Sequence, residues 1–98
     1  MNVSTTRERI DAMLRDDAFT VSTLSEEFEL SRRDVVSHLR HVAKSVQGEG
    51  SEFLVRPPEC LDCGFDDFDD LLNEPSRCPE CKSESIREPA FRIREPAG

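Results

Sequence analysis

Lysine is nearly missing from this sequence: of 13 basic residues only Lys44 and Lys82 are lysine, against 21 aspartates and glutamates, for a formal net charge of −8. That balance argues against indiscriminate electrostatic binding to nucleic acid, but leaves room for a local basic face. It also fits a halophilic source, where carboxylates hold water in a very salty cytoplasm and screening removes their mutual repulsion. The plainer alternative is an ordinary acidic protein with an arginine-biased composition. Long apolar runs are missing too. None approaches the roughly 18 to 20 residues needed to span a bilayer, and the opening Met1-Asn2-Val3-Ser4-Thr5-Thr6-Arg7-Glu8 has neither the apolar stretch nor the cleavage site of a secretory signal. A cytoplasmic protein without membrane attachment, in a reducing compartment, is expected.

Length is also short. The 98 residues suffice for one ordinary domain or two very small ones, and two very small ones would bury too little surface to be stable without a staple. Four cysteines can supply it as two disulfides or as one metal site, and a reducing compartment favours the metal. Composition shifts near Arg56-Pro57-Pro58, beyond which lie all six prolines and all four cysteines. Two units are expected, residues 1–56 and residues 57–98, meeting at a short stiff joint.

The first unit reads as helical. Thr5-Thr6-Arg7-Glu8 has the form of a capping box and precedes Ile10, Met13 and Leu14 on one face, with Asp16-Asp17 at the end. Phe19-Thr20-Val21 reads as a brief extended stretch. Ser22 or Thr23 is expected to cap a second helix carrying Leu24 and Phe28, and Ser31-Arg32-Arg33-Asp34 to cap a third, running to about Val46. Glu29 stands where a tight turn between two helices often carries glycine. Short helix, tight turn, longer helix is the helix-turn-helix order. Phe53-Leu54-Val55-Arg56 has strand composition and is expected to pair with Phe19-Thr20-Val21 at the wing position of a winged helix.

At about 100° per residue, Val35, Leu39, Val42 and Val46 form one stripe of the third helix, and Arg33, Ser37, Arg40 and Lys44 fall nearly opposite, with His41 beside them. This outward face is basic and free of carboxylates. Long cationic side chains there would reach phosphates and guanine edges, while a short residue such as Ser37 lets a helix settle deep in the major groove. The competing reading is a solvated face with arginines for solubility. His38 and His41, spaced i and i+3, have no third metal ligand nearby at a suitable spacing.

The second unit holds Cys60-Leu61-Asp62-Cys63-Gly64 and Cys78-Pro79-Glu80-Cys81. Each C-x-x-C folds into a tight knuckle presenting two thiolates, and two knuckles complete a tetrahedral site closed to water, so Cys60, Cys63, Cys78 and Cys81 are expected to hold one structural Zn²⁺. Gly64 suits the positive-φ position after such a knuckle, and Lys82 is the departure in the second. A redox role would need a thioredoxin-like context, which is missing. Ser85-Ile86-Arg87 and Ala90-Phe91-Arg92-Ile93 supply strands for a ribbon. Between the knuckles, Phe65 to Glu74 carries five carboxylates; with no nucleophile nearby, they read as a solvated loop that would repel DNA, and no enzyme activity is expected.

The segments Val35-Val36-Ser37-His38-Leu39-Arg40-His41-Val42-Ala43-Lys44-Ser45, Pro58-Glu59-Cys60-Leu61-Asp62-Cys63-Gly64-Phe65 and Pro75-Ser76-Arg77-Cys78-Pro79-Glu80-Cys81-Lys82 carry a resemblance over nearly the whole chain. The chain resembles the predicted archaeal transcriptional regulators that fuse an N-terminal helix-turn-helix to a C-terminal zinc ribbon. The resemblance implies a DNA-binding regulator. Residues and resemblance together give a small α+β protein: a three-helix, winged-helix-like domain followed by a β-rich zinc ribbon. The expected function is sequence-specific transcriptional regulation, with Arg32, Arg33, Ser37, Arg40, His41 and Lys44 at double-stranded DNA and a second copy of the chain as a partner. The alternative is a protein-interaction adaptor that meets the transcription machinery through the acidic ribbon.

Overall fold

In the computed structural model, the residues described are 3–68, 72 and 76–95. They comprise helix α1 (Val3–Asp16), strand β1 (Phe19–Thr20), helices α2 (Val21–Phe28) and α3 (Arg32–Gly48), and strands β2 (Glu52–Arg56), β3 (Glu59–Cys60), β4 (Ile86–Arg87) and β5 (Ala90–Arg94).

The helix starts differ from expectation in two places. Because α1 begins at Val3, the Thr5 capping box lies inside the helix. Helix α2 begins at Val21: Thr20 is extended, and its hydroxyl accepts from the Thr23 amide at 3.2 Å, so neither Ser22 nor Thr23 is the cap. The reason is burial. Val21, Leu24 and Phe28 stand at i, i+3 and i+7 and are all buried, which requires Val21 to be helical already. Helix α3 starts as expected, with the Ser31 hydroxyl accepting from the Asp34 amide at 3.1 Å.

Glu29 closes α2 in the left-handed region, at φ 54° and ψ 44°, and its amide donates to the Ser25 carbonyl. A glycine would take this conformation without steric cost. The turn is held by the Leu30 amide, which donates to the Ser25 carbonyl at 3.1 Å, and by the Ser25 hydroxyl, which donates to the Leu30 carbonyl.

The expected pairing of Phe19–Val21 with Phe53–Arg56 does not form. Strand β5 lies between them, giving an antiparallel three-stranded sheet of order β1-β5-β2, with Phe19 opposite Phe91 and Leu54 opposite Arg92. Ala90–Ile93, expected in the ribbon, is thus the central strand beside the helices. Its alternation explains why: Phe91 and Ile93 point inward and are 0% and 2% exposed, whereas Arg92 and Arg94 face out. Both join one core with Ile10, Leu14, Val21, Leu24, Phe28, Val35, Leu39, Val42 and Val46, and Phe53 stacks on Phe91 with ring centroids 5.9 Å apart. The ribbon is therefore inserted between two paired strands. Among the described residues its own sheet is formed by β3 and β4, with Glu59 opposite Arg87 and Cys60 opposite Ile86.

Arg15 ties the two ends of the chain together. Its guanidinium meets Asp11 on α1, Glu49 beyond α3 at 2.9 Å and Glu95 beyond β5 at 3.0 Å. No helix among the described residues is long and apolar enough to cross a membrane.

Candidate metal centre and nucleic-acid interface

The two C-x-x-C segments fold into knuckles of matching backbone. In the first, the Gly64 amide donates to the Cys60 carbonyl at 2.9 Å and the Cys60 amide to the Phe65 carbonyl at 2.8 Å. In the second, Lys82 donates to Cys78 at 2.9 Å and Cys78 to Ser83 at 2.8 Å, with the same sequence offsets. Both turns need a left-handed residue, supplied by Gly64 at φ 80° and, with a steric cost, by Lys82 at φ 65°. The Ser83 hydroxyl donates to the Asp62 carboxylate, joining one knuckle to the other.

The paired knuckles bring four sulfurs into one cluster. Cys60 and Cys78 are buried, Cys63 and Cys81 are at the surface, and all four Sγ atoms lie within 4.8 Å of one another. Cys60 and Cys81 are 3.5 Å apart, and Cys63 and Cys78 are 3.6 Å apart. Zn–S bonds of about 2.3 Å put the sulfurs of a tetrahedral site about 3.8 Å apart, so the cluster fits the ion with little adjustment. The free thiols resist sharing this space. Burial pushes the Cys60 thiol up, but the amides of Cys63 and Asp62 and the thiols of Cys81 and Cys63 outweigh it and bring Cys60 down to about 7. The Phe65 amide lowers Cys63, yet burial and its three sulfur neighbours push it up to about 12. One thiolate forms readily and further ones are opposed. A divalent cation relieves that opposition and completes the site.

Outside the cysteines, no other group of three or more histidines, cysteines or carboxylates is gathered at metal-binding distance among the described residues. His38 is partly buried on α3. Its Nδ1 accepts from Arg7 Nε at 3.1 Å, and burial first, then the Arg7 charge, holds its pKa below the usual value.

On α3, Val35, Leu39, Val42 and Val46 are buried, as their spacing requires, and Arg33, Ser37, Arg40, His41 and Lys44 are exposed on the other side. The six residues expected at DNA are all exposed on α3, and five of them border two grooves. Arg32, Arg33, Ser37 and Arg40 line a shallow groove with Val21, Val36 and Leu72. His41 lies in a different groove, with Arg7, Glu8, Asp11 and Glu49. Arg32 turns toward α2 and the ribbon's last turn, donating to the Ser22 hydroxyl at 2.5 Å and pairing with Glu88 at 3.4 Å. Leu72 is the unforeseen member of the first groove. It packs against the core from between the knuckles, in a stretch whose acidity had suggested distance from this face. Asp69, Asp70 and Glu74 of that stretch lie outside the described residues.

Fold and site thus define a small α+β protein carrying a four-cysteine zinc ribbon. Residues 5–54 match the family described as PF0610-like, N-terminal, and residues 57–95 match the PF0610 rubredoxin-like zinc beta-ribbon domain. The chain belongs to the PF0610-like family. It is similar to the solution NMR structure of protein PF0610 from Pyrococcus furiosus, with a TM-score of 0.84 and 31% identity, over 98% of this chain and 94% of that one. No curated protein matches it at a comparable level.

Proposed function

We propose that this chain is a non-enzymatic, sequence-specific DNA-binding regulator of transcription, acting in the cytoplasm as a winged helix whose wing loop has been replaced by a zinc ribbon. The observation that carries the reading is α3. A helix whose inner stripe is buried in the core presents Arg33, Ser37, Arg40 and Lys44 outward, with exposed Asp34 in its first turn as its one carboxylate, in a chain of net charge −8. The order α2, tight turn, α3 supports it, as do β2 and β5, which stand as the two strands of a wing hairpin with the ribbon between them. Zinc then serves as a staple for the ribbon and takes no part in chemistry.

In a salty cytoplasm counterion release contributes little, since log affinity falls by about 0.9 per phosphate contact for each decade of salt. Affinity must come from base edges and from two copies on a two-fold site, with half-sites about one helical turn apart. An adaptor role has one observation in its favour: Leu61, at the tip of the first knuckle, is 62% exposed beside acidic residues.

Selection of bound duplexes from a random pool at high salt, followed by two variants, separates these readings. Arg33 lies in the first turn of α3, so Arg33→Ala should cost about 1–3 kcal/mol and relax preference at one base pair. Lys44 lies three turns along, so Lys44→Ala should weaken all sequences evenly and lower the salt slope by about one. Unchanged binding in both variants would leave the adaptor as the better reading.

A further inference from the structure

We propose that the outer edge of β2 is a self-association surface, on which two copies of this chain pair Glu52–Arg56 antiparallel about a two-fold axis at Leu54, joining two three-stranded sheets into one of six strands. This does not rest on the DNA-binding reading.

The edge is open. Strand β2 pairs with β5 on one side, and among the described residues no segment pairs with its other side. Protein edge strands are usually protected by shortness, charged side chains, proline, a bulge or a covering segment, and β2 carries charge only at its two ends. Strand β2 has no proline or lysine, and its pairing with β5 runs unbroken from Glu52 opposite Arg94 to Arg56 opposite Ala90. Its central outward residue, Leu54, is an exposed large hydrophobic residue at 37%.

The sequence Glu52-Phe53-Leu54-Val55-Arg56 is also complementary to itself. About a two-fold axis at Leu54, Glu52 of one copy faces Arg56 of the other at both ends of the seam, Phe53 faces Val55, and Leu54 faces Leu54. A slip by one residue would set outward residues against inward ones, because side chains alternate between faces. A slip by two residues would set a charge against Leu54 and leave strand ends unpaired. The in-register arrangement uses all five residues and opposes unlike charges.

The neighbouring charges favour the same seam. Glu52 already accepts from Arg94 of its own chain across β5, so in the dimer it sits between two guanidinium groups. Arg56 is exposed and has no ion-pair partner among the described residues; the second copy supplies one. A single strand edge buries less than the roughly 1,200 Å² of a standard interface, so the association is weak and reversible.

Sedimentation equilibrium on the zinc-loaded full chain, from about 10 µM to about 1 mM, covers the range in which so small an interface dissociates. The wild type should show a reversible monomer–dimer equilibrium. Arg56→Glu and Glu52→Arg should each weaken self-association at least about tenfold, by setting like charges against each other at both ends of the seam. Mixing the two variants should restore a heterodimer, because every charged position in the mixed seam then meets its opposite. Leu54→Lys, at an exposed site that the fold does not need, should abolish the dimer while the circular dichroism stays that of the wild type. A wild type monomeric at about 1 mM, an Arg56→Glu variant that associates as the wild type does, or a mixture that fails to recover would each overturn the proposal.

Discussion

Removing the zinc tests how the two units are joined, because the fold makes the ribbon an insertion between β2 and β5. Thirty-three residues separate Arg56 from Ala90. With the ribbon folded, the pairing of Glu59 with Arg87 closes this excursion two residues from each strand, so β2 and β5 are tethered by a short, proline-stiffened link. With the metal gone, the same strands are joined by a flexible loop. Loop-closure entropy grows as (3/2)RT ln n, so lengthening the tether from about 4 residues to about 33 costs about 2 kcal/mol. A helical unit of about 60 residues has roughly 3–9 kcal/mol of stability to lose. The helices should therefore persist at room temperature after chelation under reducing conditions, with a midpoint lowered by about 8–16 °C. Far-UV circular dichroism melts, with zinc released per chain read by a colorimetric chelator, give both quantities. Complete loss of helical signal on chelation would mean that the metal carries the helical unit outright. An unchanged midpoint would mean that the ribbon does not tether the strands.

Three further outcomes follow from the fold. Phe91→Ala empties a fully buried position on the central strand and should cost about 3–5 kcal/mol, read from denaturant midpoints; a loss under about 1 kcal/mol would place β5 outside the cooperative core. Glu29→Gly removes the left-handed penalty at the α2 C-cap, about 1–2 kcal/mol, against a glycine entropy cost of about 0.5–1 kcal/mol, so the protein should gain up to about 1.5 kcal/mol, and a loss of stability would contradict the strain at this turn. His38 is held below 6.5 by burial and by Arg7, so the unfolded chain takes up the proton first; the stability that neutral His38 contributes is present above pH 6.5 and is lost as pH falls toward its lower folded value. Unfolding midpoints across that window should fall more steeply in the wild type than in His38→Gln, and parallel curves would refute the assignment.

The sequence showed most where the controlling interactions are local. The start of α3 was legible because a serine cap and its partner amide lie three residues apart, and its buried stripe because helical spacing alone puts Val35, Leu39, Val42 and Val46 together. The zinc cluster was legible for the same reason within each knuckle, down to the left-handed residue after it, although Lys82 stands where Gly64 stands in the first. The α2 cap was misplaced because Thr20, Ser22 and Thr23 are all good capping residues, and only the burial of Val21 chooses among them. That choice is made by packing.

Strand β5 was the larger miss, and its cause is physical too. The alternation of Phe91 and Ile93 with Arg92 and Arg94 marks a strand with one buried face, but strand composition does not say which sheet receives it. A break in composition at Pro57-Pro58 assigned everything after it to the ribbon. Burial decides otherwise. A ribbon of two-residue strands offers no apolar surface large enough to cover Phe91, whereas the helical unit has a core one strand short. The proximity of Leu72 to Arg33 and Arg40 is not legible in the sequence for a related reason. Leu72 stands in a stretch whose carboxylates would repel DNA, and only the insertion of the ribbon at the end of β2 puts that one apolar side chain in the groove lined by Arg32, Arg33 and Arg40.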